Sequence, residues 1–494
     1  MRKIVRIAGY LAAFAAVVIA GLYIYARMTM GAINFTTGEG KLDASLLGSR
    51  IKTPPGFSLG VYAPDIPGAR LLRFTGAGDL LVAVPGQGKV MLVARDANGD
   101  KVGDGTRLLM DGLNGPNGLD FHDGYLYVAE TDVIGRVPFD VSSGKLKGDY
   151  SRIVTGLPGG GNHWKKTLRF GPDGMMYVSM GSSCNVCIEK DPRRASMVRY
   201  QPDGTGETII ATGLRNSAGF DWRPADGMIY ATDNGRDGLG DNFPPCELNR
   251  IEAGNFYGWP YLNGNNVIDP DMGDKAPKEL LDRAVPPVHG FRAHNAPLGI
   301  EFVRGDAFPP DYRGAAIVAL HGSWNRSEKD GYKVVSLHFD DDGAITERDL
   351  VWGFEVDDDV VGRPAEVTEG PDGAFYISDD YAGAVYRLAW GEAQRDVALP
   401  TSHEPVFDPA TTLGSLDAAE RASLAEAGQA TFNRYGCRNC HNQAAPGRMT
   451  LAEVGTRYDI DGLSAFFEKP TAPMPIYPLS EDEKRALAVY LIGR

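Results

Sequence analysis

"TLRFGPDGMMYVSMGS", Thr167–Ser182, holds two short apolar runs of alternating character joined by Pro-Asp-Gly. Alternation with period two reads as strand, and Asp-Gly between two such runs is a strong hairpin signal. The pattern recurs along the chain. "LLRFTGAGDLLVAV" (Leu71–Val84) and "GLDFHDGYLYVAET" (Gly118–Thr131) precede it. "GFDWRPADGMIYATDNG" (Gly219–Gly235), "LGIEFVRGDAFPPDYRGAAIVALHG" (Leu298–Gly322) and "VTEGPDGAFYISDDYAGAVYRL" (Val367–Leu388) follow. The units stand roughly 45–50 residues apart early and further apart later, in the range of propeller blades. A lone hairpin buries its faces only when neighbours stack on it, and closing a ring leaves only short, protected edges. Six units therefore predict a mainly β fold, a six-bladed β-propeller over about residues 52–390. An unclosed sandwich or two smaller β domains are the alternative, which the regular recurrence disfavours.

The rest of the 494 residues frames that ring. The 62 glycines suit a turn-rich β architecture, and a net charge of −14 argues against a nucleic-acid partner. Arg2, Lys3 and Arg6 precede an uncharged apolar run, Ile7–Ala26, which Arg27 closes. About 20 apolar residues suffice to cross a hydrocarbon core of about 30 Å. The positive end stays cytoplasmic, and "YIYARM" (Tyr23–Met28) offers no good cleavage site. Residues 1–27 are thus expected to be a single-pass inner-membrane helix, with all that follows on the periplasmic side. Linkers are expected at 28–51 and 391–414.

Residues 415–494 change character. "LDAAERASLAEAGQATFNRYG" is Ala-rich and amphipathic, and Ser480 with Glu483 forms a capping box before a last helix. Between these helices lies "YGCRNCHNQ", Tyr435–Gln443. C-x-x-C-H is the pattern of covalent haem attachment, with Cys437 and Cys440 bonded to one haem c and His441 on its iron. A zinc site would need a second ligand pair, and no Cys or His follows His441. Met474, in "TAPMPIYPLS", is the expected sixth ligand, with Met449 as competitor; His/Met ligation suits electron transfer. A small all-α cytochrome c domain is expected here.

Other cysteines suit an oxidising compartment. Cys184 and Cys187 lack a following histidine and read as a small disulfide loop or a thiol pair stiffening a turn; Cys246 reads as an unpaired, partly buried thiol. "RDANGDKVGDG", with Asp96, Asn98, Asp100 and Asp104, has EF-hand-like oxygen spacing without the glutamate at loop position 12, and a hairpin turn explains it as well.

A haem relays electrons, so the propeller is the expected source. His163 stands just before one blade strand and Arg215–Asn216 just before the next. Around a ring, such loops meet at one face, so these residues are expected to converge on a central pocket. "NHW…FGPDG", "MGSSCNVC", "GLRN", "DNGRDGLGDN", "NFYGWP" and "HGSWNR" resemble the soluble quinoprotein glucose dehydrogenase and sorbosone dehydrogenase group, the cysteine and tryptophan segments being nearest the sorbosone branch. The resemblance covers nearly the whole propeller. It implies a six-bladed fold, pyrroloquinoline quinone (PQQ) and calcium. It also implies that His163 is the general base, that Arg215 stands by the quinone carbonyls, and that Asn216 and Arg363 contact the cofactor. The carbonyls of Gly235 and Arg236 would bind calcium. The sequence departs from that pattern at His321, where the glucose enzymes carry lysine, at Ala365, where they carry arginine, and within "NGPNGLDF", where their glutamine is replaced. His321 or His294 is the expected substitute donor.

These readings predict a membrane-anchored quinohaemoprotein that oxidises an aldose or sugar aldehyde and feeds a respiratory acceptor, the quinone pool or a cytochrome. A calcium-dependent lactonase and a binding propeller without quinone chemistry are the competing readings.

Overall fold

The computed structural model describes Val18, Gly21, residues 49–392 except 341, and residues 408–435, 437, 451, 454–468, 470 and 477–493. It falls into two compact units, sheets between Phe57 and Trp390 and helices from Pro409 onward.

The first unit is a six-bladed propeller, each blade an antiparallel sheet of four main strands. Each quoted sequence unit supplies the two inner strands of one blade. Blade 1 starts at Leu72–Phe74, blade 2 at Gly118–His122, blade 3 at Lys166–Phe170, blade 4 at Phe220–Trp222, blade 5 at Pro297–Phe302 and blade 6 at Pro364–Glu369. The second strands, such as Leu80–Val84, Met176–Met180 and Ala316–Leu320, are buried at every residue. A strand covered on both faces by neighbouring blades has no polar face to offer, so it reads as a continuous apolar run. Val82, Leu80 and Val93 of blade 1 pack with Tyr376 and Val385 of blade 6, and Tyr127 and Ile134 of blade 2 with Val178 and Met180 of blade 3.

The innermost strands differ because their edge faces the axis. Arg73, Asp120, Arg169, Asp221 and Glu301 line it as an ion-paired set. Arg169 lies 3.2 Å from both Asp221 and Glu301, Arg304 2.8 Å from Asp221, and Arg73 3.4 Å from Asp120. Burial without partners would be costly for each charge.

The ring is closed by a strand that belongs to no repeat. Phe57–Ala63 pairs antiparallel with Ala384–Trp390, Phe57 opposite Trp390 and Leu59 opposite Leu388, and becomes the outer strand of blade 6. Joining both ends of the ring in one sheet closes it, so that only the short outer edges of the blades remain. Blade 4 is enlarged: its third strand, Cys246–Ile251, is followed by a two-stranded ribbon and a helical turn, Lys278–Leu281, before the outer strand His289–Phe291.

The second unit contains helices Pro409–Gly414, Ala418–Arg434, Val454–Arg457, Ile460–Phe466 and Glu481–Ile492. The capping box forms: the Glu483 amide donates to Ser480 Oγ, and the Ser480 amide to the Glu483 carboxylate. Phe432, Ile460, Leu463, Leu487 and Leu491 share one core, with Cys437 packed at its side. Gly428 allows the two long helices to touch, since a β-carbon there would run into the Ala486 carbonyl. Cys440, His441, Met449 and Met474 lie outside the described residues. So does the apolar run Ile7–Ala26, apart from Val18 and Gly21. Among the described residues no helix is long and apolar enough to cross a membrane.

Candidate active site

In every blade the innermost strand begins, and the second strand ends, at the same face of the ring. Residues just before an innermost strand or just after a second strand therefore gather around one mouth. All six blades contribute to a cavity of about 110 Å³ there. Arg70 comes from blade 1, Asn117 from blade 2, Asn162–Lys165 and Thr167 from blade 3, and Asn216 and Ala218 from blade 4. Leu298–Gly299 come from blade 5 and Ala365–Glu366 from blade 6.

His163 lines this cavity. Its Nδ1 lies 2.8 Å from Ser182 Oγ, and the Ser182 hydroxyl donates to the Cys184 carbonyl at 2.7 Å. A hydroxyl has one proton, and this one is committed to Cys184. Nδ1 must therefore donate, which leaves the lone pair on Nε2. Burial, and then the charge of Arg215, pushes His163 down to about 3. The imidazole is neutral at physiological pH, the state a general base needs.

Arg215 is buried and does not line the cavity. Its Nε donates to the Asn185 carbonyl at 2.9 Å, Nη1 to the Asn234 carbonyl at 3.0 Å, and Nη2 to Asn185 Oδ1 at 2.9 Å and Asp237 Oδ2 at 3.2 Å. It clamps the wall behind Asn216, which does reach the cavity, and its charge acts on His163 through that wall. Asp233 ties this segment to the turn that follows, accepting from the Arg215 and Asn216 amides at 2.8 and 2.5 Å.

That turn carries Gly235 and Arg236. The buried Arg236 side chain is anchored by Asp269, whose two oxygens lie 2.8 Å away, and by Asp271 at 2.9 Å. With its side chain held, the turn offers two consecutive main-chain carbonyls, the hard oxygen donors that calcium takes.

Cys184 and Cys187 form a disulfide, so the cluster they make with Glu189 has no thiolate to offer a metal. The loop they close is a hub. Its Cys184 carbonyl orients Ser182, and hence His163. Its Asn185 holds Arg215, accepts from the Asp237 amide at 2.8 Å, and accepts from Trp259 Nε1 at 3.2 Å.

Arg363 stands one residue before the first strand of blade 6. It donates to the His321 and Gly322 carbonyls at 3.2 Å each and lies over the Tyr332 ring at 5.6 Å. His321 Nε2 is 2.8 Å from Asp380, and burial, with Arg363 next, pushes this histidine down to about 3. His294 is tied instead to the Gly240 carbonyl at 2.8 Å. Cys246 is fully buried. In the Asp96 loop the side chains turn onto the loop's own amides, Asp96 accepting from Gly99, Asp100 and Lys101.

Sequence reasoning passed over Arg70, Lys165, Ser182, Asn185, Asp380 and Glu366. All but Asn185 stand within three residues of the start of an innermost strand or the end of a second strand. That offset, applied to all six blades rather than two, was the available signal. Burial pushes Glu366 up to about 7. The amides of Asn117, Asn162 and Asn216, the ring of Trp164 and the cations Arg70 and Lys165 suit a planar, anionic, oxygen-rich ligand. The donor set therefore fits PQQ.

One mouth thus holds a neutral, half-buried histidine, with a buried arginine behind its wall. The Glucose / Sorbosone dehydrogenase family model matches residues 122–387, and the chain belongs to that family, which supports an oxidoreductase. An uncharacterized protein of Borreliella burgdorferi is 35% identical over 290 residues, 56% of this chain and 76% of that protein. The aldose sugar dehydrogenase YliI of Escherichia coli is 24% identical over 293 residues, 54% of this chain and 72% of that protein. Among solved structures, the holo PQQ domain of pyranose dehydrogenase from Coprinopsis cinerea is 20% identical. It covers 69% of this chain and 97% of its own, with a TM-score of 0.58. The calcium structure of the Trichoderma reesei family AA12 enzyme is also 20% identical and covers 72% and 99%, with a TM-score of 0.59. These two show the fold.

Proposed function

We propose that this protein is a membrane-anchored, periplasm-facing quinohaemoprotein that oxidises an aldose or sugar aldehyde and passes the electrons to its own haem c. The observation that carries the oxidation is His163, a neutral base whose lone pair is freed at Nε2 by the Ser182–Cys184 arrangement. PQQ would be held at the cavity by Asn216, with Arg215 acting on it through the wall behind. Arg363 and His321, which the resemblance also assigns to it, do not line that cavity. Calcium would take the Gly235 and Arg236 carbonyls. When bound, the pair supplies a hydride-accepting quinone and a Lewis acid beside it.

The chain's own residues do the rest. His163 Nε2 takes the proton of the sugar hydroxyl as its carbon loses hydride. Ser182 holds the ring so that Nε2 faces the substrate rather than the protein. Arg215 supplies fixed positive potential behind Asn216, where negative charge develops, and costs no reorganisation because its partners are already in place. The buried wall keeps the His163 proton acceptor from protonating in bulk water.

Cys437, Cys440, His441 and Met474 would hold the haem, which supplies a one-electron acceptor on the same chain. Tethering raises the effective concentration of that acceptor. Residues 1–27 would anchor the protein, with residues 52–390 as catalytic domain and 415–494 as cytochrome. A respiratory quinone or cytochrome would be the final acceptor.

The test is reduction of the haem absorption band in the full chain, loaded with PQQ and calcium, on addition of aldoses and sugar aldehydes. Sugar-dependent reduction supports the coupled reading. Sugar oxidation with an artificial acceptor but no haem reduction would leave a dehydrogenase and remove the haem from it.

A further inference from the structure

We propose that Arg70 and Lys165 form a carboxylate-binding pair at the mouth of the central channel, and that the carboxylate they take belongs to the PQQ tricarboxylate; this rests on the dehydrogenase reading above. Both side chains line the same cavity, Arg70 from the head of blade 1 and Lys165 from the head of blade 3. Arg70 is 2.6 Å from Asp380, but that carboxylate is shared, since His321 lies 2.8 Å from its other oxygen.

Lys165 has less. Among the described residues its ammonium forms no ion pair; what offsets its charge is the face of Trp164 at 4.7 Å and the field of Asp380, the carboxylate already shared by Arg70 and His321. A ring quadrupole offsets only part of what a charge loses on leaving water. Arg70 is the first cause, and burial the second, that pushes Lys165 down to about 7. Two cations line one cavity, then, answered by the shared Asp380 carboxylate and by Glu366, which burial pushes up to about 7 and so leaves only partly ionised near neutral pH. Such an arrangement is stabilised by a further anion bound between the cations. A neutral aldose carries no charge to answer them, whereas a carboxylate accepts charge-assisted hydrogen bonds from both. Asn117 and Asn162 on the same rim add neutral donors.

The experiment is titration of the calcium-loaded, quinone-free full chain with PQQ, followed by quenching of tryptophan fluorescence, in wild type, Lys165→Met, Arg70→Met and Lys145→Met. Lys145 is exposed on the ribbon of blade 2 and serves as the control. Lys165→Met breaks no ion pair, so its fold is expected to survive, as a thermal melt without PQQ would show. Its dissociation constant should rise at least about tenfold, that of Arg70→Met similarly, and that of Lys145→Met by less than about twofold. Binding by wild type that is undiminished in Lys165→Met overturns this proposal and leaves the dehydrogenase reading standing. No PQQ binding by wild type overturns both. A parallel titration with a hexuronate, read by calorimetry, covers the other source of a carboxylate. Hexuronate binding lost in Lys165→Met while PQQ binding is unchanged would place the pair on the substrate and overturn the assignment to PQQ.

Discussion

At the scale of single residues, the site depends on where one proton sits. Ser182 has no second hydrogen to give, so His163 must donate from Nδ1 and accept at Nε2. His163→Ala should lower turnover about 10²–10⁴-fold with the thermal melt little changed; turnover near wild type would show that His163 is not the base. Ser182→Ala should slow turnover while leaving PQQ affinity intact, because the imidazole then chooses either tautomer. The same histidine makes acid stability testable. Its folded value, about 3, lies below the unfolded value of about 6.5, so the unfolded chain binds the proton first and stability falls as pH drops through that window. Glu366, raised to about 7, works in the opposite sense, so the wild-type profile mixes both. The difference isolates His163: His163→Gln should lose less melting temperature than wild type between about pH 7 and about pH 5. Equal losses would mean that His163 takes up its proton in the folded state as readily as in the unfolded one.

At the scale of elements, the inner hairpins were legible because each writes its fold locally. Period two gives the strands, Asp-Gly gives the turn, and full burial of the second strand gives an unbroken apolar run such as Met176–Met180. The closing strand Phe57–Ala63 was not legible, since its partner lies more than three hundred residues away and no local pattern names it. Sites followed the same division. His163 was visible at a strand head. The hub at Cys184–Asn185 was visible only as a spacing of cysteines, because its work is done by main-chain carbonyls, which sequence does not display. Breaking that loop by Cys184→Ser with Cys187→Ser should lower turnover about tenfold or more, as the Cys184 and Asn185 carbonyls lose their placement. Unchanged kinetics would show that the loop's own hydrogen bonds suffice. In the helical unit, Gly428→Val should destabilise by about 1–3 kcal/mol through overpacking against Ala486, read as a lower melting point of the helical signal.

At the scale of the whole molecule, the ring turns six weak hairpins into one mouth. No blade holds the site alone; blade 3 places five residues at the head of its inner strand and every other blade one or two, and closure sets their distances. Deleting Phe57–Ala63 should therefore cost the entire propeller and not only blade 6, seen as loss of soluble, cooperatively melting protein. The ring also explains the charge at the mouth. The departures at His321 and Ala365 read, in sequence, as a shortage of cations. In three dimensions Arg70 and Lys165 arrive from other blades. The central claim, that sugar is oxidised at this mouth, is tested most directly by reduction of an artificial electron acceptor by the full chain across a panel of aldoses and sugar aldehydes, with and without PQQ and calcium. Turnover with at least one sugar, dependent on both additions and absent in His163→Ala, is the result expected. Demonstrated PQQ binding with no turnover on any sugar would contradict it.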